Sequence, residues 1–100
     1  MKIVYAESAR RDIAEIFNAI AVHSPSAAGR VEEAIRIQCE RLTAFPYAAA
    51  KTDEPRVFRV PLVRYPYTVF YRVNVEVNWI EIARVLHGAR IKDLRRLPDD

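Results

Sequence analysis

Arginine is the residue type in this 100-residue sequence that most strongly suggests a binding function, because arginines recur in three candidate strands toward its C-terminal end. The segments with strand-like composition and alternation are Arg56–Leu62, Tyr65–Val73 and Trp79–Arg90. A guanidinium offers a planar fork of donors that suits phosphate and carboxylate oxygens. The pattern therefore predicts a surface for an anionic or acidic partner.

His87 is the residue best suited to acid–base chemistry, since it ends the last candidate strand near Arg84 and Arg90. An imidazole beside cations can act as a general acid or base or bind phosphate, although a partly exposed strand-end histidine is the simpler interpretation. Arg59 and Arg90 are stronger candidates, because each lies in or just after a strand expected to be central; solvated surface arginines are the alternative. The candidate target-binding residues are Arg59, Arg84, His87 and Arg90.

Other catalytic chemistry has little support. Two glycines are too few for a glycine-rich phosphate loop, and two histidines with one cysteine give no metal-ligand spacing, so we expect no cofactor and no metal. Cys39 should be a buried thiol in a helix. Three serines stand where helix caps are expected: Ser8, Ser24 and Ser26.

Length and charge narrow the class of protein. The chain is expected to form one domain over residues 1–100, with no apolar run near the roughly 20 residues that cross a bilayer and no signal-peptide core at its start. We therefore expect a cytoplasmic protein with no membrane partner. The net charge is +3, and the excess of Arg and Lys over Asp and Glu lies in residues 55–100.

The N-terminal half predicts a strand and two helices. Lys2–Ala6 alternates like a strand, and Ser8 is then expected to cap a helix that ends near His23. Ser24 followed by proline predicts the start of a second helix, which Pro46 should stop. The apolar stripe of the first helix is Ala9, Ile13, Ile16, Phe17 and Ile20, and that of the second is Ala27, Val31, Ala34, Ile35, Leu42 and Phe45.

After a loop over residues 47–55, the rest of the chain alternates with a period of two, but no strand is cleanly amphipathic. Four aromatic residues in these strands are expected to pack in the core rather than stack on bases: Tyr65, Tyr67, Tyr71 and Trp79. The order of elements predicts an α+β fold with an N-terminal β-strand and an α-helical hairpin packed on an antiparallel sheet of about four strands.

Six segments in this order give the sequence a resemblance to the ParE branch of the RelE/ParE toxin superfamily, over about residues 3 to 92. They are Ala9–Ile16, Ser24–Ala28, Leu42–Pro46, Arg56–Val60, Tyr67–Tyr71 and Val85–Arg90. The resemblance implies a helical hairpin on an antiparallel sheet, wrapped by a segment of a cognate antitoxin. It therefore implies a toxin–antitoxin hetero-oligomer.

The two branches of the superfamily imply different targets. RelE-like members cut mRNA on the ribosome with basic strand residues, and Arg59 and Arg90 match two of those positions. Thr68 and Pro61 stand where such nucleases carry an arginine and a lysine, and no tyrosine follows Arg90. ParE-like members poison DNA gyrase by binding, which this sequence fits better.

Three hypotheses follow from the resemblance. The first is a gyrase inhibitor neutralised by its antitoxin, with no catalytic residue of its own. The second is a ribosome-dependent endoribonuclease in which His87 is the acid or base. The third is a toxin-fold protein that is no longer toxic and serves as a binding partner of the antitoxin.

Overall fold

The computed structural model describes residues 1–47 and 50–90, which form two helices packed on a five-stranded mixed sheet. The elements are β1 (Lys2–Tyr5), α1 (Glu7–Ala21), α2 (Pro25–Arg41), β2 (Ala50–Lys51), β3 (Phe58–Pro61), β4 (Tyr67–Asn74) and β5 (Trp79–His87). The strand order is β1-β5-β4-β3-β2. The expected α+β architecture is confirmed.

Two details of the predicted sheet were wrong. The sheet is not wholly antiparallel, because β1 pairs with β5 in parallel, with Tyr5 opposite Ile82. It also has a fifth strand. This strand, β2, has two residues, lies within the predicted loop and pairs with β3. The parallel pairing follows from the connection: the helical hairpin and the rest of the sheet separate β1 from β5, which allows a crossover.

The serine caps were predicted with mixed success. Ser24 is a cap, since its hydroxyl accepts a hydrogen bond from the Ala27 amide at 3.2 Å. Ser8 is not, because α1 already begins at Glu7 after Ala6, and the Ser8 hydroxyl instead donates to the carbonyl oxygen of Ala83 at 2.7 Å. Ser26 lies inside the first turn of α2, with its hydroxyl 3.4 Å from that of Ser24.

The second helix ends earlier than predicted. It stops at Arg41 rather than at Pro46, and turns follow from Leu42 to Ala44. Leu42 remains buried, as expected, but Phe45 is 68% exposed and does not belong to the apolar stripe of the helix. The helical period, extended to Pro46, placed Phe45 on the wrong side, because the chain changes direction after Leu42.

The main core lies between the helices and one face of the sheet. It contains the fully buried ring of Tyr71, whose hydroxyl donates to the carbonyl oxygen of Pro46 at 2.8 Å. Tyr65 and Tyr67 pack against this core, whereas Trp79 is 41% exposed, so the prediction of a core role was wrong for Trp79 alone. Cys39 is buried as expected, and burial raises the pKa of its thiol to about 11.

A second, smaller core explains why the strands are not cleanly amphipathic. Val57, Phe70 and Leu86 are buried together in a separate cluster. The residues before and after Phe70, Val69 and Tyr71, belong to the main core, so β4 is buried on both faces at its centre. A bulge between Phe70 and Tyr71 also shifts the register with β5.

Candidate functional site

His87 ends β5 at an exposed position beside Tyr67, its register partner on β4. The two rings meet edge to face with their centroids 5.5 Å apart. The Nδ1 atom of His87 accepts a hydrogen bond from the Ala89 amide at 3.1 Å, and the Gly88 amide donates to the carbonyl oxygen of Pro66 at 3.0 Å. Because Nδ1 is an acceptor, the neutral ring carries its proton on Nε2, which can donate to an anion.

Arg90 lies three residues beyond His87, in a single turn of 3₁₀-helix that follows β5. Its guanidinium approaches the Glu15 carboxylate of α1 at 3.9 Å, with about half of each side chain exposed. An exposed pair at this distance contributes little stability, since water screens both charges. This ion pair therefore holds Arg90 only weakly to α1, and about half of the Arg90 side chain is accessible to solvent.

Arg59 lies in the middle of β3 and is exposed. Its neighbours Phe58 and Val60 pack against the main core under the helices. Because successive side chains of a strand point to opposite faces, Arg59 projects from the face of the sheet that the helices do not cover. Arg59 forms no ion pair with any other residue of 1–47 and 50–90.

These exposed candidates do not form one site. Tyr67, which touches His87, packs against the helix-side core, and Arg90 approaches α1. His87 and Arg90 therefore share the helix side of the molecule, whereas Arg59 lies on the opposite face. A partner that contacts all three residues has to reach around the end of the sheet.

Arg84 has a different environment from the other candidates, because it is buried against α1. Its Nε and Nη2 atoms donate to the two carboxylate oxygens of Asp12 at 2.7 and 3.0 Å. Asp12 also accepts a hydrogen bond from the Val85 amide at 3.0 Å. Arg84 and Asp12 are 9% and 6% exposed. The burial and pairing of Arg84 give it a structural role that joins β5 to α1, in place of the predicted role as a target contact.

Sequence reasoning missed Asp12, although a signal was present. Asp12 lies three residues after Ala9 and four before Ile16, which places a carboxylate on the apolar stripe of α1. A charge on a buried stripe requires a partner of opposite charge. The sequence pattern does not identify which arginine pairs with Asp12.

The side chains of α1 also complete the hydrogen bonding of β5. Strand β1 ends opposite Ile82, so no strand within residues 1–47 and 50–90 pairs with the following backbone groups of β5 on that side. Ser8 takes up the carbonyl oxygen of Ala83, and Asp12 takes up the amide of Val85. The helix thus satisfies polar groups that an open sheet edge would leave unpaired.

The arginine of β4 is also paired with a carboxylate. Arg72 forms an ion pair at 3.2 Å with Glu81, its register partner on β5. Pro61 and Thr68, which stand where the nuclease branch is expected to carry cations, are register partners across β3 and β4. Since Pro61 lies two residues after Arg59, all three positions are on one face, and Arg59 is the cation among them.

Two further findings concern the described part of the chain. Across residues 1–47 and 50–90, no three His, Cys, Asp or Glu side chains group closely enough to hold a metal ion. In the same ranges, neither helix has the length and apolar character needed to span a membrane.

Solved structures of known proteins share this fold. A chromosomal ParDE toxin–antitoxin system from P. aeruginosa matches with a TM-score of 0.77 and 24% identity, covering 87% of this chain and 95% of the other. A mutant of the E. coli toxin RelE in the free state matches with a TM-score of 0.71 and 14% identity, covering 94% and 90%. The intact E. coli RelBE toxin–antitoxin complex matches with a TM-score of 0.64 and 16% identity, covering 84% and 92%.

Sequence comparisons identify the family. Comparison with curated proteins gives no match. Residues 3–99, however, match the family described as the ParE toxin of the type II toxin–antitoxin system parDE. This match covers nearly the whole sequence and agrees with the resemblance drawn from the six segments. The chain therefore belongs to the ParE toxin family of type II toxin–antitoxin systems.

Proposed function

We propose that this toxin inhibits DNA gyrase by binding it in the cytoplasm, and that a cognate antitoxin neutralises it in a hetero-oligomeric complex. The observation that carries the proposal is the neutralisation of strand arginines: Arg84 is bound to Asp12, and Arg72 to Glu81. A ribonuclease relies on several preorganised charges around one phosphate, each worth roughly 2 to 4 kcal/mol in the transition state. Inhibition by binding requires no such cluster.

The proposed target contacts are Arg59 and Arg90, with His87 beside Arg90. Both arginines are exposed, and an exposed guanidinium can attract an acidic or DNA-bound surface. Because the two arginines lie on opposite faces, a target that contacts both has to extend around the end of the sheet. An inhibitor of this kind needs neither cofactor nor metal.

A ribosome-dependent endoribonuclease is the second candidate, and His87 is the observation that favours it. The Ala89 amide fixes the Nδ1 side of the exposed ring, which leaves Nε2 available to a substrate. In this case His87 supplies the acid or base, and its loss removes about 10² to 10⁴ in rate.

Expression of the chain without its antitoxin separates these activities. Inhibition of gyrase supercoiling with intact translation is the result we expect. Immediate translation arrest with cleaved mRNA supports the nuclease, and unimpaired growth supports a non-toxic antitoxin partner. Co-expression of candidate antitoxins should identify the cognate one, because it restores growth.

Three variants test the residues of the proposed site. We expect Arg59→Glu and Arg90→Glu each to abolish gyrase inhibition with an unchanged circular dichroism spectrum, because each reverses a charge where an anion binds. His87→Ala should have a smaller effect. Arg10→Glu, at an exposed position of α1, is the matched control and should inhibit like the wild type. A wild-type protein that leaves supercoiling untouched and cuts mRNA in a His87-dependent way contradicts the proposal.

A further inference from the structure

An open groove of about 390 Å³ runs between the C-terminal half of α2 and the turn that joins β3 to β4. On the helix side it is lined by Ala34, Ile37, Gln38 and Arg41, and on the other side by residues 62–65. None of these residues takes part in the proposed target contacts. The groove is therefore a second surface whose role the proposed activity does not explain.

Apolar side chains form most of the groove. Leu62 is 7% exposed and belongs to the main core, so it provides a fixed floor. The walls are different, since Ile37 is 39% exposed and Val63 is 89% exposed. Turn residues are usually polar, so a valine almost fully in water at this turn is unusual. Two exposed aliphatic residues on either side of an apolar groove indicate a docking surface.

The charged residues that line the groove indicate the charge of its binding partner. Among the described residues that line it, the charged ones are Arg41 and Arg64. Both are exposed, and neither forms an ion pair with another residue of 1–47 and 50–90. A segment with apolar residues on one face and Asp or Glu at its margins complements this arrangement. A second copy of the chain complements it poorly, since the chain itself carries a net charge of +3.

We infer that the groove binds an acidic amphipathic segment of the antitoxin, with aliphatic side chains against Leu62 between Ile37 and Val63, and carboxylates beside Arg41 and Arg64. The inference rests on the proposed function for the existence of an antitoxin. The groove and the target contacts use different residues, so the antitoxin can be held without occupying Arg59.

The test uses isothermal titration calorimetry to measure the affinity of the purified toxin for the antitoxin that restores growth on co-expression. Ile37→Ser and Val63→Ser should each weaken binding about tenfold or more, as expected for apolar residues at the centre of an interface. Val75→Ser, which removes a valine of similar exposure from the β4–β5 turn, is the matched control and should leave the affinity unchanged.

The charge component has its own variants and control. Arg41→Glu and Arg64→Glu should weaken binding about tenfold and reduce its dependence on salt, because each replaces an attraction by a repulsion. Arg30→Glu, at an exposed position of α2 outside the groove, should behave like the wild type. Wild-type affinity in all four groove variants overturns the inference, as does a groove-dependent dimer of the toxin alone in light scattering.

The inference and the proposed function fail in different ways. If no candidate antitoxin binds the wild-type toxin or restores growth, the proposed pairing with an antitoxin fails. If that protein binds the wild type and binds the groove variants equally well, the pairing stands, and the assignment of the groove is wrong.

Discussion

Asp12 carries three hydrogen bonds at the junction of α1 and β5, two from Arg84 and one from the Val85 amide. Its carboxylate has exchanged water for these donors. A bidentate pair with the correct geometry compensates for the loss of hydration, whereas either partner alone remains as an uncompensated buried charge. The two residues therefore depend strongly on each other.

Replacement of Asp12 by Asn should destabilise the toxin by about 3 to 5 kcal/mol, because the Arg84 guanidinium keeps its charge and loses its counterion. Urea unfolding of the purified protein measures the difference. Glu7→Gln is the matched control, since Glu7 pairs with Arg11 at an exposed position of the same helix, and it should change the stability by less than about 0.5 kcal/mol. Equal effects of the two substitutions would contradict a special role for the buried pair.

The buried thiol of Cys39 makes stability depend on pH in the alkaline range. Burial raises its pKa from 9.0 to about 11, because a thiolate is poorly solvated in the core. In the unfolded chain the thiol loses its proton first, so its contribution to stability is complete below about pH 8.5 and is lost as the pH rises toward 11. Burial also raises the pKa of Tyr71, which acts in the same direction from about pH 10 upward.

We therefore expect the free energy of unfolding to fall by about 2 to 3 kcal/mol between pH 8 and 11 through Cys39 alone, which corresponds to a pKa difference of about two units. Urea titrations at several pH values measure the slope. Cys39→Ala, compared with the wild type, should be less sensitive over this range. A slope that is unchanged in Cys39→Ala would show that other groups cause the pH dependence.

At the scale of elements, the helices hold the sheet through positions that differ in burial. Leu42 is 5% exposed, and Ile16 is partly buried against the main core. Leu42→Ala should cost about 2 to 5 kcal/mol, and Ile16→Ala should lie near the lower end of that range or below it, because fewer contacts are lost. Val22→Ala, at a position 80% exposed, is the control. Changes below about half a kcal/mol at both core positions would show that these faces are not the core.

Elements with a strong period were predictable, and those set by tertiary contacts were not. The stripe through Val31 and Ile35 identified α2, and the proline after Ser24 located its start, because local sequence determines both features. The end of α2 was placed too late, since Pro46 stops a helix but does not prevent an earlier end. The two-residue β2 has no period to detect, and its pairing depends on β3.

The candidate site was predictable in composition but not in arrangement. Sequence alone identified Arg59, His87 and Arg90 as cationic groups in or after strands. It could not show that Arg59 lies on the face opposite His87, because the second small core makes both faces of β4 apolar and conceals the alternation. It also could not pair Arg84 with Asp12, which are 72 residues apart in sequence.

For the molecule as a whole, exposed apolar side chains separate into distinct regions. Ile37 and Val63 line the groove, Phe45 and Tyr47 follow α2, and Val75, Val77 and Trp79 lie in or beside the β4–β5 turn. Exposed apolar side chains that lie close together often mark surfaces that bind a partner. The toxin alone should therefore be the less stable and less soluble form.

The antitoxin should raise the melting temperature of the toxin, because a ligand that binds only the folded state stabilises it by mass action. At an antitoxin concentration of about 100 times Kd, this stabilisation is about 2.7 kcal/mol, which corresponds to a rise of about 10 to 20 °C for a domain of this length. Differential scanning calorimetry of the toxin with increasing amounts of antitoxin measures the rise.

The groove variants make this melting experiment specific. Ile37 and Val63 are exposed, so their replacement by Ser should leave the melting temperature of the free toxin almost unchanged. The rise with antitoxin should shrink in these variants, because a tenfold weaker affinity removes about 1.4 kcal/mol of the stabilisation. Val75→Ser should retain the full rise. Equal melting temperatures of the wild-type toxin with and without antitoxin would contradict a tight complex, whatever the variants do.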